Sequence, residues 1–185
     1  MRTGNDGSPA EAPGEQYDRG TIALHWATAV LVGLLWVIGQ TIDFAPSGPL
    51  RVDYRSLHMT LGVTLLGVFV LRAIWRLTRG SRLPGVGSAW MQVAARMTHG
   101  ALYGLVLVTL GLGLANVWAR GDVIYNLFTV PAFDPSNKPL RQLIGGWHAL
   151  AANGTLILAG LHAAAALIHH YVLRDGVLRR MLPMV

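Results

Sequence analysis

The sequence predicts an all-α integral membrane protein, a four-helix bundle with both termini in the cytoplasm, and three observations carry that expectation. Of its 185 residues, 52% are hydrophobic and only 13% are charged, a profile of chains that sit in lipid rather than in water. Four apolar segments, at approximately 21–44, 57–78, 90–119 and 143–173, are each long enough to cross a hydrocarbon core of ~30 Å, which takes about 20 helical residues. The basic residues are divided unequally between the two sides. Arg2, Arg19, Arg72, Arg76, Arg79, Arg82, Arg96, Arg174, Arg179 and Arg180 fall at the tail, the second loop and the C-terminus; only Arg51, Arg55, Arg120, Lys138 and Arg141 fall in the first and third loops. Basic loops stay on the cytoplasmic side, so both ends of the chain are expected there.

Taken in order, residues 1–18 are rich in Gly, Pro, Ala and acidic side chains. They lack the apolar run next to a basic start that a cleavable signal needs, and read as a disordered cytoplasmic tail. Residues 19–185 form the membrane domain. The links between its helices, SGPLRVDYRS, RGSRLPGVGS and RGDVIYNLFTVPAFDPSNKPLRQ, collect most of the Pro and charge and read as loops. The pieces VIYNLF and VPAF of the third link are candidates to lie against the membrane surface. No strand alternation and no tandem repeat is visible. The Trp residues read as interfacial anchors.

Several function classes drop out. The net charge of +6 comes from residues at the ends of apolar runs, with no basic patch interleaved with aromatics, so nucleic acid is not a partner. With no Cys there is no disulfide framework, no thiolate zinc or iron–sulfur site and no C-x-x-C-H attachment of haem. A metal would have to be held by His or carboxylate.

The histidines supply a pattern. His148 and His162 are 14 residues apart on the fourth segment, which returns them to nearly one helix face, roughly 21 Å apart along the axis. His25 lies at the depth of His162 and His58 at the depth of His148. Two His pairs stacked across a four-helix bundle suit two non-covalent b-type haems, each iron taking one imidazole from each side. A zinc site would want three or four ligands at one depth. For a single membrane His, a carbonyl hydrogen bond or a proton path is the alternative. Gly62, Gly100 and Gly104 leave room for a flat macrocycle or serve ordinary helix packing. Arg72, 14 residues beyond His58, and Arg55, one turn before it, are candidates to pair with haem propionates. His99, His169 and His170 sit near the cytoplasmic surface, His169 being the rival of His162 as a ligand.

IALHW around His25, SLHMTLG around His58, MTHGALYG around His99, WHALAANG around His148 and GLHAAAALIHHYVLRDGVLRRMLP from Gly160 to Pro183 resemble the bacterial four-helix cytochrome b561 family, and within it the membrane superoxide oxidases. The resemblance covers the four helices. It implies two haems b on His25, His58, His148 and His162, and oxidation of superoxide at the outer face with electrons passing to ubiquinone across the inner membrane. Related sequences place a carboxylate where this chain has Ala149. On this reading Arg51, Arg55, Arg120, Lys138 and Arg141 would draw in the anion; His169, with Arg72 or His99, would meet the quinone. The same scaffold also resembles the cytochrome b subunits that anchor hydrogenases and other dehydrogenases to the quinone pool.

Overall fold

The computed structural model describes residues 16–81 and 83–182. Most of the expected tail, Arg2 and Arg82 lie outside them. Four long helices dominate the described residues: α1 (Arg19–Thr41), α2 (Pro49–Thr78), α3 (Ala89–Arg120) and α4 (Lys138–Ile168). All four are long and apolar enough to cross a membrane. Many of their large apolar side chains point outward, Val30, Ile74, Leu107, Ile157 and Leu161 among them, as a lipid-facing surface requires.

The helices begin where local chemistry allows. Asp18, assigned from sequence to the tail, instead caps α1: its carboxylate accepts from the Thr21 N–H and hydroxyl at 2.9 and 2.6 Å. It also accepts from the Trp75 indole at 2.8 Å and from the backbone N–H and hydroxyl of Ser81, so one acid ties α1 to the end of α2 and the link beyond it. Burial alone would raise its pKa, but the hydrogen bonds from Thr21, Ser81 and Trp75 outweigh it and hold the carboxyl well below the usual carboxylate range. Gly20 makes this junction possible, because a Cβ there would lie 2.4 Å from the Trp75 ring. Two helices start earlier than their apolar runs suggest. Pro49 opens α2 after Gly48, at φ 124°, and Asn137 caps α4 by accepting from the Leu140 N–H, with Pro139 in the first turn. Arg51, Arg55, Lys138 and Arg141 are therefore helical residues rather than loop residues.

The packing is uneven. α1 packs mainly on α2 and α3 mainly on α4, giving two antiparallel helix hairpins that touch each other far less than they touch internally. Leu35, Leu65, Phe69, Val106 and Leu110 form the buried mid-bundle cluster where the hairpins do meet. The described ends of the chain lie together: the Tyr17 N–H donates to the Arg180 carbonyl at 3.1 Å, and the Trp26 indole to that of Met181 at 2.8 Å. We call this the terminal end and the opposite one the hairpin end.

At the hairpin end the structure corrects the expectation of a strandless chain. Val123–Ile124 (β1) and Phe128–Thr129 (β2) pair antiparallel, Val123 with Thr129 and Ile124 with Phe128. Two-residue strands are too short for alternation to register in sequence. Ser56, wholly buried, fastens this ribbon to α2 by accepting from the Tyr125 N–H at 2.8 Å while donating to the Val52 carbonyl.

Candidate functional site

Each hairpin contributes one imidazole to a facing pair at each end. His58 on α2 faces His148 on α4 with ring centroids 6.2 Å apart, and His25 on α1 faces His162 on α4 at 6.4 Å. A metal–imidazole bond is about 2 Å, so two rings on opposite sides of one metal hold their centroids roughly 6 Å apart. Both pairs meet that spacing. Among the described residues no group of three or more His or acidic side chains is placed to hold a metal, so the donor set is two imidazoles per site. That suits a macrocycle supplying the remaining ligands and does not suit a tetrahedral zinc.

The hairpin-end pair opens into a cavity of about 760 Å³ lined from all four helices, within the range of cofactor pockets, ~300–1,000 Å³. His148 is oriented by its Nδ1–H, which donates to the Thr109 carbonyl at 3.0 Å and leaves Nε2 with a free lone pair. The Nδ1 of His58 is buried without a hydrogen bond. Two glycines not singled out in the sequence let these rings approach neighbouring backbones. A Cβ at Gly39 would meet His58 Cε1 at 3.3 Å, and one at Gly113 would meet His148 Cε1 at 3.1 Å. Gly62, Gly100 and Gly104 instead face open space, with Gly62 on the cavity wall.

The terminal-end pair is more crowded. Arg72 donates to His25 Nδ1 at 3.1 Å, and because a guanidinium can only donate, the proton of the neutral ring falls on Nε2. For Nε2 to bind a metal, Arg72 must give up this contact, which would free it for a carboxylate. His99 adds a third imidazole, 5.1 Å from His162. A smaller cavity of about 260 Å³ is lined by Arg72, Arg76, Arg96, His99 and Tyr103, and Arg72 sits 5.3 Å from the Tyr103 ring.

Other predicted residues separate here. Arg55 lines the larger cavity. Arg51 does not: it donates to the Ala45 and Asp43 carbonyls and closes the turn that follows α1. Lys138 and Arg141, in the first turn of α4, do not line it either. His169 is not on the terminal-end cavity. α4 widens into one π-helical turn, His169–Leu173, and His169 Nδ1 is bound to the Asp175 carboxylate. Burial alone would raise the Asp175 pKa, but bonds from His169 and the Val177 N–H hold it below its ordinary value. His170 packs edge-on against Tyr171. Three of the indoles serve as internal donors, Trp36 reaching Asn153 on α4 at 2.8 Å beside the Trp26 and Trp75 bonds given above. Arg120 and Asp122 also line the larger cavity.

Comparisons with known proteins identify the family. Residues 16–184 match the family model for prokaryotic cytochrome b561. The chain is 30% identical over 166 residues to the probable superoxide oxidase CybB of Yersinia pestis, covering 88% of this chain and 93% of that protein. It is 32% identical over 172 residues to cytochrome b562 of Cereibacter sphaeroides, covering 90% and 94%. Against cytochrome b561 homolog 1 of Escherichia coli it is 30% identical over 172 residues, covering 91% and 97%. The chain therefore belongs to the prokaryotic cytochrome b561 family, haem b proteins of bacterial membranes that transfer electrons.

Proposed function

We propose that this cytochrome holds two haems b, one between His58 and His148 and one between His25 and His162. We further propose that it oxidises superoxide at the hairpin end and reduces ubiquinone at the terminal end, with both termini in the cytoplasm and the domain in the inner membrane. The observation that carries this reading is the pair of imidazole–imidazole spacings, 6.2 and 6.4 Å, one at each end of the bundle. Similarity to a probable superoxide oxidase supports the choice of donor.

When bound, haem b supplies a one-electron iron couple at each end. The reaction balances as two superoxide anions each losing one electron to leave as O2, while one ubiquinone gains two electrons and two protons to become ubiquinol. The residues of the chain bind and orient. The Thr109 carbonyl fixes the His148 ring. Arg55 and Arg120 present positive charge on the cavity to an incoming anion; Arg51, Lys138 and Arg141 add only to the long-range field, screened beyond about 8 Å at physiological salt. At the terminal end Arg72, His99 and Tyr103 offer N–H and O–H donors to a quinone carbonyl; His169, bound to Asp175, lies off that cavity.

A second reading, an electron-transfer subunit that anchors a hydrogenase or dehydrogenase to the quinone pool, draws on the apolar surface at the hairpin end, where Phe44 is 84% and Leu127 82% exposed. One experiment separates the two. Purified protein in vesicles is supplied with a superoxide source and quinone, with and without superoxide dismutase. Quinone reduction should stop when dismutase is present; reduction that continues undiminished assigns the electrons to another donor.

A further inference from the structure

Asp122 is an acid that the sequence pattern passes over. It lies one residue beyond Gly121, whose left-handed φ of 68° ends α3; a Cβ at Gly121 would come 2.9 Å from the Ala132 side chain, so the chain crosses itself tightly here. The crossing leaves Asp122 only 8% exposed. Its Oδ1 accepts from Arg55 at 3.4 Å and faces Arg120 Nε at 3.3 Å. All three side chains line the cavity that holds His58 and His148. One carboxylate thus serves two guanidiniums, and the cluster carries a single net positive charge instead of two.

The backbone does not need this acid to stay in place. The Val130 N–H donates to the Asp122 carbonyl, and Ser56 already fastens the ribbon to α2. A half-buried ion cluster is weak support for a fold, since its desolvation cost offsets much of its attraction. What it does supply is a fixed charge pattern in a low-dielectric cavity, where interactions between charges are several times stronger than in water.

We propose that Asp122 is a positioning residue for electron entry: it holds Arg55 and Arg120 at the cavity and offsets part of their charge, which tunes a haem held by His58 and His148 and the attraction of the cavity for an anionic reductant. The inference rests on the haem reading of that pair. A negative charge near the iron favours the oxidised, more positive state, so its removal favours reduction; removal of a nearby cation does the opposite.

The test is redox titration of the purified full chain, following the haem that His148→Ala removes. Asp122→Asn should raise its midpoint potential, shifting the reduction equilibrium by about tenfold, or 59 mV for one electron. Arg120→Gln should lower it, the double variant should return close to the parent, and the other haem should stay put throughout. Superoxide-dependent reduction of Asp122→Asn should also be faster and more sensitive to salt. Shifts of one sign in all three variants, or no shift in Asp122→Asn with both haems present, would overturn the proposal. If Asp122→Asn fails to fold, Arg120→Gln alone decides by whether the potential falls. Retention of both haems in His148→Ala would instead strike the underlying ligand assignment.

Discussion

The two ends of the bundle hold imidazole pairs at nearly the same spacing, 6.2 and 6.4 Å, in opposite chemical settings. At the hairpin end one ring donates to a backbone carbonyl, glycines stand against the ring edges, and the adjacent guanidiniums share a carboxylate. At the terminal end a guanidinium donates to a ring, a third imidazole crowds in, and none of Arg72, Arg76 or Arg96 has a carboxylate partner among the described residues. Spacing is thus a property of the helix scaffold, and electrostatic setting is a property of the neighbours. A carbonyl acceptor makes an imidazole more electron-rich, whereas uncompensated cations favour the reduced metal. With a haem on each pair, as proposed, the difference predicts a gradient that runs downhill from the hairpin end to the terminal end.

Breaking the pairs is the largest test of this comparison. Wild-type protein should give two non-covalent haems b by pyridine haemochrome. His58→Ala or His148→Ala should each remove the hairpin-end haem, and His25→Ala or His162→Ala the other, with identical phenotypes within a pair. If His162→Ala retains both while His99→Ala loses one, the third imidazole is the ligand.

A smaller effect should follow from the unequal neighbours. The haem lost in His162→Ala should titrate at the higher potential in wild type. Arg72→Gln should lower that potential by about tenfold in the reduction equilibrium constant and leave the hairpin-end haem unmoved. Equal potentials in wild type, or a shift of both haems together, would remove the gradient.

The smallest effect concerns how the terminal end is fastened. Asp18→Ala removes an N-cap and should destabilise the protein by about 1–2 kcal/mol, read as a lower Tm without loss of haem. Because the folded-state pKa of Asp18 is depressed, its contribution is present above the unfolded value of about 3.9 and fades as pH falls through the folded value. The Tm gap between wild type and variant should therefore be constant at neutral pH and narrow in strong acid. A gap that grows on acidification would contradict the role assigned to this carboxylate.

The histidine pairing is legible in the sequence because a 14-residue spacing on a straight helix fixes both depth and face. What stayed hidden depends on contacts that no periodicity encodes. Gly39 and Gly113 are ordinary glycines until a ring from another helix lies 3.1–3.3 Å from where their Cβ would be. Asp122 looks like loop charge until the turn at Gly121 folds it toward α2. His169 read as a site residue because of its depth, yet a π-helical turn brings Asp175 back onto it. Arg51, Lys138 and Arg141 look like loop charges because apolar content does not register the helix starts that Pro49 and Asn137 set.

The weak contact between the two helix hairpins bears on how the bundle is held together. Each hairpin is largely self-contained, α1 with α2 and α3 with α4, and the larger cavity is lined from both hairpins. With a haem on each imidazole pair, as proposed, the cofactors would supply contacts between the hairpins that the helices themselves lack.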